Sequence, residues 1–175
     1  MENFALNIAI VKILNGWAVS SLYVSNLVIF AAYYLGFVMI LVLPVYIWRS
    51  RRRLSAIRIV LLAVASGLLA YYLSDLIKSS WPVARPSELS GIKALLQPGD
   101  VSAFPSGHAS FFGALALAVF FHNRYWGGWL IAMAILISAA RVAAGVHFPL
   151  DIVAGWILAF GSAVVFLWVG KKLTT

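Results

Sequence analysis

The chain has no cysteine in its 175 residues, so disulfide stapling and thiolate chemistry are excluded and nothing can be read about redox compartment. Charge is scarce too: Asp, Glu, Lys and Arg make up 10% of the sequence, against about a quarter in an ordinary soluble domain. Acid is the rarer sign, with five residues against thirteen Lys and Arg. Apolar residues fill 63% of the chain, more than a soluble fold could bury, which predicts an all-α polytopic membrane protein. The net charge of +8 does not point to nucleic acid, because the basic residues sit in short clusters between apolar runs, as membrane topology requires. Met1-Glu2-Asn3 lacks a basic leader and the next residues are broken by Asn7, Lys12 and Asn15, so no cleavable signal peptide is expected. There is no internal repeat, low-complexity segment or dividing linker, and residues 1–175 read as one domain.

In residues 1–20 the apolar positions Phe4, Ile8, Val11 and Leu14 alternate with Asn7, Lys12 and Asn15, which predicts a helix lying in the membrane interface. Five runs follow that are candidates to cross the bilayer, at 21–48, 54–79, 107–121, 125–144 and 149–170, the third of them short. The expected architecture is a bundle of five to six helices. Asp75 and Lys78, near the end of the second run, are costly in lipid unless they face a polar cavity or each other. The one long polar loop, 80–105, has Pro82, Pro86, Gly91, Pro98 and Gly99 as turn formers and carries Arg85, Glu88, Lys93 and Asp100. Placing Arg49–Arg53 in the cytoplasm puts Arg124, Lys171 and Lys172 there as well and satisfies the positive-inside rule. Alternation then brings Lys78, Arg85, Ser106, His108, Arg141, His147, Asp151 and all the acidic residues to the opposite, outer end. Ala109 with Gly113 and Gly155 with Ala159 predict close helix packing. Trp17, Tyr33, Tyr34, Trp48, Trp81, Trp126 and Trp129 predict an interfacial aromatic belt.

The residues gathered at the outer end have complementary chemistry. Pro105-Ser106-Gly107-His108 feeds a helix, so the N–H groups of Ser106, Gly107 and His108 lie near its positive end, a ready anion site. Alone, that turn is no more than a helix cap. Lys78, Arg85 and Arg141 add three cations, and the arginine fork suits phosphate oxygens. Any one of them could snorkel or pair with an acid; together, beside two histidines, they await an anion. His147 and Asp151 are four apart across a helix start, a spacing that brings a carboxylate to one imidazole nitrogen and leaves the other for substrate. This makes His147 a nucleophile or base and leaves His108 as the acid for a leaving oxygen. A phosphate nearby would favour charged His108 against the opposing pull of the helix N-terminus. Two histidines and an aspartate could also hold a metal, but the surrounding cations would repel a divalent ion, so neither metal nor cofactor is expected.

Lys78-x6-Arg85-Pro86, Pro105-Ser106-Gly107-His108 and Arg141-x5-His147-x3-Asp151 resemble the three motifs of the type 2 phosphatidic acid phosphatase superfamily. The resemblance covers 78–151; Ala140 stands where that family usually has Ser, which removes a secondary hydrogen bond and leaves every catalytic position filled. It implies that Lys78, Arg85, Ser106, the Gly107 N–H and Arg141 hold phosphoryl oxygens. It also implies that His147, aided by Asp151, attacks phosphorus to form a phosphohistidine, and that His108 protonates the departing oxygen without a metal. The implied substrate is a lipid phosphate whose tail stays in the bilayer. Small bacterial undecaprenyl diphosphate phosphatases of the inner membrane, with the site facing the periplasm or exterior, are the nearest in look. Phosphatidylglycerophosphate, phosphatidic acid and lipid A 1-phosphatases follow, since the motifs read the phosphate and not the tail. A non-catalytic lipid-binding or transport protein is the reading from another class, but a transporter would carry paired repeats or mid-membrane polar residues.

Overall fold

The computed structural model describes residues 2–89, 91–97, 99 and 102–172. The apolar runs fold as helices: α1 (Glu2–Ala18), α2 (Leu22–Arg49), α3 (Arg53–Ser80), α4 (Gly107–His122), α5 (Arg124–Ala143) and α6 (Pro149–Lys172). There is no strand among the described residues. Local chemistry sets the boundaries. Ser21 caps α2 by accepting the Val24 N–H, Ser106 caps α4, and Asn123 Oδ1 accepts the Trp126 N–H at 3.2 Å to start α5. Pro149 opens α6, where its missing N–H costs nothing.

Helices α2, α3, α5 and α6 are long and apolar enough to cross a bilayer, and the chain is a multi-pass membrane protein. Helix α4 is different: its 16 residues span only about 24 Å at 1.5 Å per residue, short of a hydrocarbon core of about 30 Å. It is the central rod, packed by α3, α5 and α6, with Ala114, Leu115 and Ala116 fully buried. Packing by α3, α5 and α6 buries its middle and first turn, so a short helix is tolerated inside the bundle where a lipid-facing one would not be. Close packing follows the small residues as expected: Gly113 lies against Ala159, and a β-carbon on Gly155 would stand 2.8 Å from both Ala109 Cβ and the Ser106 carbonyl. The first turns of α4 and α6 are thereby pressed together.

Three expectations need adjusting. The asparagines that suggested an interfacial α1 point into the protein. Asn15 Nδ2 donates to the carbonyls of Lys93 and Ala143 at 2.9 Å each, its Oδ1 accepts the Lys93 N–H, and Asn7 Oδ1 accepts the Leu150 N–H. They are buried because they satisfy backbone groups that the loop and the α5–α6 turn leave open. Tyr33 and Tyr34 lie in the middle of α2, inside a π turn at Phe30–Tyr34, and not at a helix end where a belt would need them. Trp126 packs edge-on against buried Tyr46, with ring centroids 5.7 Å apart, whereas Trp17, Trp48, Trp81 and Trp129 are exposed. Pro98 and Asp100 lie outside the described residues.

Candidate active site

The loop between α3 and α4 and the turn between α5 and α6 meet over the start of α4. A 3₁₀ turn at Pro86–Glu88 shapes the first part of that loop, and the Ser87 N–H donates to the Gly145 carbonyl across to the other turn. Gly145 sits at φ +76°, a left-handed conformation that L side chains rarely adopt, and this reversal aims His147 back toward α4. The Ser106 N–H donates to the Asp151 carbonyl at 3.0 Å, tying the two helix starts directly. Ser74 on α3 adds a third tie through its hydroxyl to the Pro105 carbonyl.

All eight residues singled out from the sequence lie at this end. Lys78, Arg85, Ser106, Arg141, His147 and Asp151 are buried, an uncommon state for three cations in one small region. His147 is 1% exposed, and its Nδ1 lies 2.8 Å from the Ala103 carbonyl. A carbonyl only accepts, so Nδ1 carries the proton and Nε2 keeps its lone pair. Burial first, then the charges of Arg141, Arg85 and Lys78, push the His147 pKa well below the usual 6.5, against a smaller opposing pull from the Ala103 carbonyl. His147 is therefore a neutral imidazole with a free electron pair. Asp151 is 3.6 Å from Nδ1, and its Oδ2 accepts the Phe148 N–H at 2.7 Å. The backbone carbonyl fixes the tautomer, then, and the carboxylate caps α6 while standing close behind the ring.

The cations divide by what they touch. Arg85 donates through Nη1 to the Val146 carbonyl at 2.7 Å and through Nη2 to the Ser102 carbonyl at 2.9 Å, bracing the residues next to His147 and Ala103. Arg141 Nη1 lies 3.4 Å from His108 Nε2 and 3.5 Å from the Ala32 carbonyl in the π turn of α2. Arginine can only donate, so His108 Nε2 accepts in this arrangement. Lys78 Nζ comes within 3.8 Å of where a β-carbon on Gly107 would stand, and the Tyr71 ring covers the same glycine. The Ser106 hydroxyl caps the Ala109 N–H at 3.4 Å. Beside this polar group opens an apolar cavity of about 300 Å³, lined by Leu68, Tyr71, Gly107, His108, Phe111 and Phe112. Among the described residues no group of three His, Cys, Asp or Glu side chains could hold a metal.

Several contributors escaped the sequence reading. Ala103, Val146 and Ala32 act through backbone carbonyls, which any residue supplies and no motif marks. Ser74 was findable, since it lies one helical turn before Lys78 on the same face of α3.

A sequence profile of the PAP2 superfamily matches residues 57–174. The chain is 30% identical over 173 residues to the bacitracin transport permease protein BcrC of Bacillus licheniformis, covering 97% of this chain and 83% of that protein. It is also 30% identical over 177 residues to an undecaprenyl-diphosphatase of Sulfolobus acidocaldarius, covering 99% of this chain and 82% of the relative. Its fold matches the crystal structure of Aquifex aeolicus LpxE with a TM-score of 0.74 at 24% identity, over 95% of this chain and 98% of that one.

Proposed function

The chain belongs to the PAP2 superfamily, and from that premise we propose that this membrane phosphatase hydrolyses undecaprenyl diphosphate through a phosphohistidine on His147. One juxtaposition carries the reading: His108 touches Arg141 on one side and lines the apolar cavity on the other. A phosphate held among Lys78, Arg141 and the start of α4 leaves its lipid chain against Leu68, Tyr71, Phe111 and Phe112. The diphosphatase name of a relative similar over nearly the whole chain supports the head group.

In this mechanism the Nε2 lone pair of His147 attacks the terminal phosphorus, and the bond from phosphorus to the bridging oxygen breaks. His108, whose Nε2 accepts from Arg141 in the substrate-free arrangement, takes up a proton beside the bound phosphate and gives it to that oxygen, so the lipid monophosphate leaves neutralised at the cleaved position. Arg141, Lys78 and the N–H groups of Gly107 and His108 stabilise charge on the equatorial oxygens, usually the largest catalytic term. Arg85 acts mainly through the two loops it braces. Asp151 stabilises the positive charge that grows on His147. Water then attacks the phosphohistidine, His108 takes its proton, inorganic phosphate departs and neutral His147 returns. No metal enters the cycle, so activity persists in EDTA. We place the protein in the cytoplasmic membrane with this end outside, following the basic residues at the other end.

The deciding experiment is phosphate release by the purified protein from undecaprenyl diphosphate, phosphatidylglycerophosphate, phosphatidic acid and lipid A. The highest kcat/KM is expected on undecaprenyl diphosphate, and a clear preference for another lipid overturns the substrate assignment. Orientation is read by labelling a Lys93→Cys variant with a membrane-impermeant maleimide in intact cells, since the chain has no other thiol.

A further inference from the structure

At the end of the bundle remote from His147, a cleft of about 260 Å³ opens between the start of α3, the end of α4 and the end of α6. Its rim is polar, with Ser55, Arg58, His122 and Lys171, and its floor is apolar, with Ile59 and Leu62. Ser55 also lines an adjoining groove formed by Arg51, Arg52, Arg53 and Leu54, so the basic surface is continuous. The His122 Nδ1 lies 2.9 Å from the Ala118 carbonyl, which fixes the proton on that nitrogen and holds the ring at the helix end. The described acidic side chains with a defined position, Asp75, Glu88 and Asp151, all belong to the other end of the bundle.

We propose that this cleft is a binding site for the head group of an anionic phospholipid of the adjacent leaflet. Charge complementarity selects an anion. The apolar floor beneath the basic rim selects an anion that brings its own hydrocarbon, because a free inorganic ion would leave Ile59 and Leu62 facing water. A zwitterionic lipid would set its ammonium group against Arg58 and Lys171. The occupant is therefore a bilayer lipid with net negative charge, and the site is separate from the catalytic group at the far end of α4.

The test uses the full chain, purified in detergent and stripped of lipid, with lipid retention followed by native mass spectrometry. Phosphatidylglycerol should be retained in preference to phosphatidylcholine, and excess inorganic phosphate should not displace it. Arg58→Ala with Lys171→Ala should cut phosphatidylglycerol retention about 25-fold, about fivefold for each charge removed. Leu62→Trp should also lower retention by filling the floor while leaving every charge in place. Phosphate release by each variant in the same detergent should match the parent and certifies the fold. Should the double variant not fold, Arg58→Gln alone carries the test, with about a fivefold loss expected. Unchanged phosphatidylglycerol retention in the folded variants, equal retention of phosphatidylcholine, or displacement by inorganic phosphate would each overturn the proposal.

Discussion

Both ends of the bundle are basic, but they spend their charge in opposite ways. At one end Lys78, Arg85 and Arg141 are 8%, 3% and 8% exposed, turned inward around His147, His108 and the first turn of α4. At the other end Arg49, Arg51, Arg52, Arg53, Arg58, Arg124, Lys171 and Lys172 are all exposed. The inward set acts on a neighbour: after burial, which is the larger cause, its charges lower the His147 pKa further, and it surrounds a small polar space. The outward set lies at the surface, on the side where the basic clusters meet the membrane interface. A count of basic residues would rank the outward set as the more important. Desolvation reverses that ranking, because a charge taken out of water acts far more strongly on what lies beside it.

The comparison breaks most visibly at His147. His147→Ala should lower kcat for phosphate release by at least about ten-thousandfold, as loss of a nucleophile does, with the purified protein still folded by circular dichroism. Wild-type turnover in that variant would remove the nucleophile assignment. His108→Ala should cost about a hundred- to ten-thousandfold, and the loss should shrink on a substrate whose leaving group needs no proton, such as p-nitrophenyl phosphate. Arg141→Ala should cost about a hundredfold to a thousandfold in kcat, measured against the same change at Arg124. Arg124 faces the Phe120 ring at 4.5 Å, so Arg124→Ala should cost only about 0.5–1 kcal/mol of stability and leave kcat within error.

A subtler contrast lies in pH. Because the His147 pKa is well below 6.5 in the folded chain, its protonation should not lower kcat/KM between pH 8 and 6.5. The same shift sets a sign for stability. Below 6.5 the unfolded chain takes up a proton that folded His147 refuses, so this contribution is complete above 6.5 and falls as pH drops toward the folded pKa. A His147→Gln variant should flatten that slope in thermal melts recorded at several pH values. A further effect, mainly on stability, is expected at Asn15. Asn15→Ala leaves the part-buried Lys93 carbonyl and the buried Ala143 carbonyl short of a donor, which should cost about 1–3 kcal/mol by thermal unfolding with a modest loss of turnover.

Much of this was legible before any coordinates. Hydropathy and the positions of Arg49–Arg53, Arg124 and Lys171–Lys172 are enough to order the helices and to send three motifs to one end, because lipid penalises misplaced charge so heavily. The small residues Ala109, Gly113, Gly155 and Ala159 announced the close packing that the fold contains. The run at 107–121 counts among the spans and stands out as short, and its place at the centre of the bundle accounts for that length.

The sequence by itself therefore determined the helical membrane architecture and which side chains share an end, since both follow from transfer free energies that residue type alone sets. Only the tertiary structure decided what each of those side chains does with its hydrogen bonds. His147 Nδ1 is held by the Ala103 carbonyl in preference to Asp151, Arg85 braces Val146 and Ser102, Arg141 leans on a carbonyl in the π turn of α2, and Asn15 clasps the loop from outside. Those partners are mostly backbone groups, identical at every position in the chain, and only folding selects which of them come within 3 Å or so of a given donor.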